Sequence, residues 1–340
     1  MSIFASGGKE ARFWKVDGDR VRCELCPHFC KIAEDKSGIC GVRKNSKGKL
    51  ETLIYGKMTS MTPDPIEKKP LFHFHPGTSA LSFGTVGCNY SCPFCQNYSI
   101  SQVKPEDAFL RDLKPERVVP AVKKSDCAGV AWTYNEPTIW HEFTYDCSKL
   151  VKEAGYYSVY VTNGYINEGP LREISPYLDA MNVDLNSMKE DFYKKFCKAK
   201  AQPVLDTIVL GKELGIHIEL TNLVIPGEND KKEDFESLIS WVVENVGLDV
   251  PMHFSRFHPD YKMLDKPRTP KKTLELAYGI AKDAGLKYVY VGNIPTNERE
   301  NTFCSRCGNM VIERWGFSIS KLNLDGDKCK TCGGKVDIIT

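Results

Sequence analysis

The sequence predicts an α/β fold with a partial (β/α)6 barrel of the TIM type. Between residues 79 and 293, short runs rich in β-branched residues alternate with longer amphipathic stretches, which is typical of βα units around a parallel sheet. The strand-like runs number six or seven, too few for a closed eight-stranded barrel, so we expect one open side. Each run ends in polar or glycine-rich residues, which predicts one shared pocket at the carboxyl ends of the strands.

The individual elements follow from the spacing of apolar residues along the chain. The predicted strands are residues 80–86, 129–133, 158–162, 180–185, 217–224 and 252–257, with a seventh at 287–291. The predicted helices are residues 137–154, 203–214, 232–246 and 271–284. Around this barrel, assigned to 76–294, we predict an N-terminal cysteine-rich metal-binding region at 1–75 and a C-terminal zinc-ribbon lobe at 301–340, after a polar linker at 295–301.

The composition limits the classes of function and the location. A chain of 340 residues can hold one barrel and small appendages. Its 46 basic and 44 acidic residues give a net charge of +2, too weak a field to favour nucleic acid as a partner. No apolar run is long enough for a membrane span, and residues 1–10 lack the build of a secretory signal. Eleven of the fourteen cysteines form clusters with metal-ligand spacing, which predicts a cytoplasmic protein in a reducing, anaerobic environment, without a membrane partner.

Three cysteines directly after the first predicted strand organise the expected pocket. Cys88, Cys92 and Cys95 have the spacing C-x3-C-x2-C. A structural zinc ion usually takes four protein ligands, whereas a [4Fe-4S] cluster held by three thiolates keeps one iron free for another ligand. We therefore predict a [4Fe-4S] cluster at these cysteines. The alternative is half of a zinc knuckle whose fourth ligand lies elsewhere.

This cysteine loop, with Phe94 just before its last cysteine, resembles the signature of the radical S-adenosylmethionine (SAM) enzymes. The resemblance implies the radical SAM fold, chelation of the free iron by the amino and carboxylate groups of SAM, and reductive cleavage of SAM to a 5'-deoxyadenosyl radical. It also implies SAM contacts from later strand ends, namely Asn135, Glu136, Thr162, Asn163, Asp184, Asn186 and His258.

The resemblance gives several of these residues a specific role. Glu136 occupies the place of the segment that takes the amino group of methionine, although the usual glycines before it are replaced. The turn at Thr162 and Asn163 matches a segment that faces the methionine carboxylate and the ribose. Asp184 resembles a ribose-binding aspartate, and His258 is expected near the ribose. For each polar residue taken alone, a hydrogen-bonded strand end is the alternative.

A second cysteine set lies near the N-terminus, on a segment rich in turn-forming residues. Its members are Cys23, Cys26, Cys30 and Cys40. The turns let successive sulfurs converge, which predicts a site for zinc or for a second cluster. Reduced, buried cysteines that bind no metal are the alternative.

A third set forms two C-x2-C knuckles near the C-terminus. Its members are Cys304, Cys307, Cys329 and Cys332. Four thiolates leave a zinc ion no open position, so we predict a structural zinc ribbon that docks as a separate lobe and helps to recognise a macromolecular partner. A redox dithiol, the alternative, would need only one knuckle. The remaining cysteines, Cys127, Cys147 and Cys197, are predicted to be buried. Cys197 lies among lysines, whose positive charge would make its thiol reactive.

Over nearly its whole length, the sequence resembles the radical SAM enzyme of the AmmeMemoRadiSam system. The resemblance rests on the C-x2-C-P-H run at 23–28, the D-P-I-E-K-K-P run at 64–70, the cysteine loop at 87–97, residues 253–261 and the C-terminal knuckles. It implies AMMECR-type and Memo-type proteins as partners, and a similarity to the pyruvate formate-lyase activating enzymes.

These observations predict a radical SAM enzyme that abstracts hydrogen from a protein partner. SAM is consumed, and the electron donor is a protein such as ferredoxin or flavodoxin. One alternative is the radical modification of tRNA or of a small metabolite, and a basic surface with stacking aromatics would favour RNA. An alternative of another class is a non-catalytic protein with several clusters that transfers electrons or serves as a scaffold.

Overall fold

The structure is a computed structural model that describes residues 8–294 and 298–340. Residues 1–7 of the predicted N-terminal region and residues 295–297 of the predicted linker lie outside the described residues. Within the described part of the chain, no helix is long and apolar enough to cross a membrane.

An eight-stranded sheet forms the centre of the molecule. Its strands are β1 (Ser60–Pro65), β2 (Ser79–Gly84), β3 (Gly129–Trp132), β4 (Tyr157–Thr162), β5 (Ala180–Asp184), β6 (His217–Val224), β7 (Met252–Arg256) and β8 (Val289–Gly292). From β2 to β8 each strand pairs in parallel with the next, and β1 pairs antiparallel with β2 at the edge. All seven predicted strands are confirmed, while curvature of the sheet into a partial barrel stays a prediction. The sequence does not predict β1, because its prolines argue against a central strand; an edge strand tolerates them.

Helices connect the strands of this sheet. They are α1 (Tyr98–Ser101), α2 (Val118–Lys124), α3 (His141–Glu153), α4 (Glu168–Ile174), α5 (Glu190–Phe192), α6 (Gln202–Glu213), α7 (Lys232–Asn245) and α8 (Lys271–Asp283). A 3-10 turn at Pro137–Trp140 precedes α3, and a π-helix at Tyr193–Cys197 follows α5. The four predicted helices correspond to α3, α6, α7 and α8; the others are too short to show an apolar period in the sequence. The buried faces of the longer helices and of the sheet form one apolar core.

The N-terminal region forms small antiparallel sheets. One contains Lys9–Glu10, Lys49–Thr52 and Arg43–Ser46, a second contains Trp14–Asp17, Arg20–Cys23 and Lys31–Ile32, and a third pairs Lys57–Met58 with Arg111–Asp112. A buried ion pair joins Arg43 of this region to Glu142 of α3, with 2.9 Å between Nη1 and Oε1. Because breaking a buried ion pair leaves an uncompensated charge, this contact holds the region firmly against α3.

The C-terminal segment forms β9 (Thr302–Phe303), β10 (Met310–Trp315) and β11 (Ser318–Leu322), which are antiparallel, and then pairs Leu324–Asp325 with Lys328–Cys329. An apolar cluster places Ile312 of β10 together with Tyr290 of β8. Arg314 donates to the backbone oxygen of Phe72 at 2.8 Å and lies 3.8 Å from the carboxylate of Glu67. The segment therefore contacts β8, at one edge of the sheet, and the chain between Glu67 and Phe72 that follows β1.

Candidate active site

A cavity of about 970 Å³ lies at the carboxyl ends of the parallel strands. The residues predicted to hold the cluster or SAM that line it are Cys88, Cys92, Phe94, Cys95, Asn135, Glu136, Thr162, Asn163, Asp184 and Asn186. His258 is not among the lining residues, and its side chain is exposed. His253, on the same segment, lines the cavity instead. Contacts from all of these residues to SAM stay predictions.

Polar groups from the cysteine loop and from its neighbours lie close to the sulfurs of Cys88 and Cys95. The backbone N–H of Tyr90 donates to Cys88 Sγ at 3.3 Å, and Asn163 Nδ2 lies 3.8 Å from the same sulfur. The hydroxyl of Ser101 lies 3.1 Å from Cys95 Sγ. Such donors stabilise the charged thiolate form, which is the form that ligates iron in Fe-S clusters. The donor set therefore fits the predicted [4Fe-4S] cluster.

Two polar residues after β3 hold neighbouring segments of the site in place, Asn135 at the cysteine loop and Glu136 at the end of β4. Asn135 accepts from the N–H of Thr85 at 3.1 Å and donates to the backbone oxygen of Gly87 at 3.0 Å. Glu136 accepts from the hydroxyl of Thr162 at 2.7 Å and from the N–H of Asn163 at 2.8 Å. Burial raises the pKa of Glu136, and these hydrogen bonds oppose that rise. Glu136 thus joins the end of β3 to the end of β4, whatever it contributes to ligand binding.

Asp184, at the end of β5, lines the cavity, and its carboxylate has no hydrogen-bond partner within residues 8–294 and 298–340. Burial, and then the nearby charge of Glu136, raise the pKa of Asp184 to about 7. Its environment differs from that of Asn186, whose Oδ1 accepts from the N–H of Leu223 at 2.9 Å. The Asp184 carboxylate is therefore free to bind a ligand group, because its lone pairs are not used by the protein.

The cavity wall also contains residues that sequence reasoning missed. From the C-terminal segment these are Arg314, Trp315, Gly316 and Phe317, at and beside the turn between β10 and β11. The aromatic side chains are 68% exposed at Trp315 and 50% exposed at Phe317. No local pattern signals that this turn returns to the cavity, since the contact joins segments more than a hundred residues apart in the chain.

The three cysteine sets differ in geometry. The C-terminal sulfurs all lie within 4.8 Å of one another, with 3.7 Å between those of Cys304 and Cys332 and 3.9 Å between those of Cys307 and Cys329. This closeness suits four ligands of a single metal ion.

The remaining cysteines, Cys127, Cys147 and Cys197, are buried, as predicted. The sulfur of Cys197 lies 3.7 Å from that of Cys92, so this thiol borders the predicted cluster site.

Comparison with known proteins agrees with this site. The Radical SAM superfamily profile matches residues 83–242, which include the cysteine loop. An uncharacterized protein of Methanocaldococcus jannaschii is 47% identical over 334 residues, covering 97% of this chain and 99% of that protein. The chain belongs to the radical SAM superfamily. Membership implies a [4Fe-4S] cluster and SAM, which the donors around Cys88 and Cys95 fit.

More distant relatives of this superfamily member include activating enzymes. The pyruvate formate-lyase-activating enzyme of Clostridium pasteurianum is 26% identical over 193 residues, covering 53% of this chain and 80% of that enzyme. Among solved structures, a radical SAM methyltransferase from Sphaerobacter thermophilus superposes with a TM-score of 0.51 at 15% identity, covering 64% of this chain and 67% of that one. The latter similarity extends to the fold alone.

Proposed function

We propose that this radical SAM enzyme cleaves SAM reductively at a [4Fe-4S] cluster held by Cys88, Cys92 and Cys95, and that it then abstracts hydrogen from a protein substrate. The observation that carries the proposal is that these cysteines and the unpartnered carboxylate of Asp184 line the same cavity. When bound, the cluster supplies the electron that breaks a carbon–sulfur bond of SAM.

The side chains of the cavity bind and orient SAM in this proposal. Asp184 accepts hydrogen bonds from ribose hydroxyls, for which its oxygens are free. Glu136 draws the methionine amino group with its negative charge, while it holds Thr162 and Asn163 in place. Phe94 is buried against Phe196, with 6.4 Å between ring centroids, and keeps water from one side of the cysteine loop.

The proposed substrate is a polypeptide. Its support is the exposed aromatic rim of Trp315 and Phe317, because aromatic side chains are enriched where proteins bind other proteins. A protein substrate would also agree with the activating-enzyme relative, which is named for its action on pyruvate formate-lyase. AMMECR-type and Memo-type proteins are the proposed partners, and ferredoxin or flavodoxin the proposed electron donor.

Other features of the sequence prediction remain part of this proposal. Zinc is proposed at the C-terminal sulfurs, whose mutual spacing it would satisfy. We also propose three regions, at residues 1–75, 76–294 and 301–340. The assignment to the AmmeMemoRadiSam system and a cytoplasmic, anaerobic setting are further parts of the proposal.

The test is SAM cleavage by the reconstituted protein. The protein is loaded anaerobically with iron and sulfide and supplied with SAM and a reductant, and 5'-deoxyadenosine is measured by chromatography. We expect product from the wild type and none from Cys88→Ala, while Cys127→Ala, a buried cysteine outside all three sets, serves as the matched control. Equal product from wild type and Cys88→Ala would refute the proposal, as would its absence from the wild type.

The substrate is tested in the same assay by adding candidate partners. An AMMECR-type or Memo-type protein should increase the yield of 5'-deoxyadenosine, and deuterium placed in the partner should appear in that product. Deuterium transfer from a small metabolite or from tRNA, with none from protein, would instead establish the alternative substrate classes.

A further inference from the structure

The spacing of sulfurs separates the N-terminal cysteine set from the C-terminal one. Two thiolates on one zinc ion can be no farther apart than twice the Zn–S bond, about 4.6 Å. The C-terminal set approaches this limit, with all four sulfurs within 4.8 Å. Among the described residues, no comparable group forms at Cys23, Cys26, Cys30 and Cys40, nor at Cys88, Cys92 and Cys95. Thiolates of a [4Fe-4S] cluster bind different iron atoms, so the zinc limit does not apply to them.

The N-terminal cysteine set also lies directly against the loop that holds Cys88, Cys92 and Cys95. The ring nitrogen Nε2 of His28 donates to the backbone oxygen of Asn89 at 2.7 Å. A Cβ atom on Gly87 would lie 2.6 Å from the backbone oxygen of Cys40, so the two backbones touch where Gly87 has no side chain. Since Asn89 and Gly87 flank Cys88, the two cysteine sets are neighbours across a single backbone contact.

A buried cation lies beside the N-terminal sulfurs. The guanidinium of Arg43, 1% exposed, interacts electrostatically with Cys40, and its Nε has no hydrogen-bond partner within the described part of the chain. A buried, unpartnered donor beside thiolates is expected where a charged cluster supplies the missing interaction.

The outer side of this set is open to a protein donor. Phe29 and Ile39, each next in sequence to a member of the set, are 39% and 57% exposed. Exposed apolar side chains beside a redox centre suit the weak, transient docking that electron-transfer complexes use.

We propose that Cys23, Cys26, Cys30 and Cys40 bind a second Fe-S cluster, and that this cluster passes single electrons from a reduced flavin or iron-sulfur protein to the cluster at Cys88. The destination of the electron rests on the proposed function. In each turnover the donor is oxidised by one electron, and the electron ends in a carbon–sulfur bond of SAM. That bond breaks to give methionine and the 5'-deoxyadenosyl radical.

The identity of the metal is tested without SAM cleavage, in a variant that lacks the other cluster. The Cys88→Ala, Cys92→Ala, Cys95→Ala triple variant is loaded anaerobically with iron and sulfide. Iron, sulfide and zinc contents are measured together with the Mössbauer spectrum. We expect about four irons per chain with a [4Fe-4S] spectrum that added SAM does not change. A variant without iron, or with a second zinc ion per chain, would overturn the inference and leave the proposed SAM cleavage unaffected.

The relay is tested by the order of reduction in the wild-type protein. Rapid freeze-quench electron paramagnetic resonance follows both clusters after mixing with reduced flavodoxin, and SAM identifies the cluster at Cys88 because only that spectrum changes on SAM addition. The SAM-insensitive signal should appear first. Simultaneous appearance, or the reverse order, would overturn the relay.

Variants then test whether the second cluster is needed for reduction by a protein. In Cys30→Ala and Cys40→Ala, reduction of the SAM-sensitive cluster by flavodoxin should be lost, whereas reduction by dithionite, which is small enough to enter the cavity, should persist. Persistence with dithionite also shows that the variants are folded. Unchanged reduction by flavodoxin would contradict the relay, and Cys127→Ala provides the matched control.

Discussion

Replacement of Arg314 should reveal how strongly the C-terminal segment is joined to the sheet. Its guanidinium donates to the backbone oxygens of Phe72 at 2.8 Å and Glu300 at 3.0 Å, and to the hydroxyl of Thr302 at 2.7 Å. It is also the buried cation nearest to Glu67, at 3.8 Å, and the Oε2 atom of Glu67 has no hydrogen-bond partner within the described residues. Arg314→Met would therefore leave a buried carboxylate uncompensated.

The expected loss in the free energy of unfolding is about 3 to 5 kcal/mol, the range for breaking a buried ion pair from one side. The loss should depend on pH. Burial raises the pKa of Glu67, and Arg314 opposes that rise. Without Arg314 the pKa rises further, so the folded protein binds a proton that the unfolded chain has released. The deficit is therefore smallest at acid pH, where Glu67 is neutral in both states, and grows as the pH rises through the raised pKa.

Urea titrations of the reconstituted protein under anaerobic conditions measure this loss. Lys321→Met, an exposed position on β11, is the matched control and should change stability by less than about 0.5 kcal/mol. The double variant Arg314→Met, Glu67→Gln should recover part of the loss, because it removes both charges. If Glu67→Gln recovers nothing, and the deficit of Arg314→Met is independent of pH, the electrostatic explanation is wrong.

Four further predictions concern the cavity and the C-terminal sulfurs. In the wild type, the affinity for SAM should rise with pH as the Asp184 carboxylate ionises near its raised pKa of about 7. Asp184→Asn should abolish this rise and weaken SAM binding above pH 7, which equilibrium dialysis at several pH values measures. Glu136→Ala should cost SAM affinity about 1.5 to 3 kcal/mol, with Glu136→Gln intermediate, and an unchanged dissociation constant would contradict its role. If zinc binds the C-terminal sulfurs as proposed, its removal by a chelator, or Cys329→Ser, should lower the thermal midpoint without changing the iron content. Trp315→Ala with Phe317→Ala should spare SAM cleavage in the absence of partners but weaken the stimulation by a protein partner.

The sequence alone determined the parallel sheet and the cysteine loop. Strands such as β3 and β8 are short apolar runs, and their alternation with helical stretches is visible within a window of a few residues. The spacing of Cys88, Cys92 and Cys95 is equally local, because all three ligands come from one loop. The positions of Asp184 and Glu136 follow from the same reasoning, since the carboxyl ends of parallel strands meet at one edge of the sheet.

Only the tertiary structure decided which side chains complete the cavity. His258 lies two residues beyond β7 and is exposed, whereas His253 within β7 lines the cavity. Side chains alternate between the two faces of the sheet only within a strand. The position of His258 just after β7 therefore did not predict which way its side chain points. Glu136 is already bonded to Thr162, which the sequence could not show. Arg314 reaches the cavity from the far end of the chain because long-range packing places β10 against Tyr290 of β8 and against Phe72. Local sequence patterns show the periodicity of a helix or strand and the spacing of ligands within a loop. Contacts between distant segments depend on how the folded elements pack against one another.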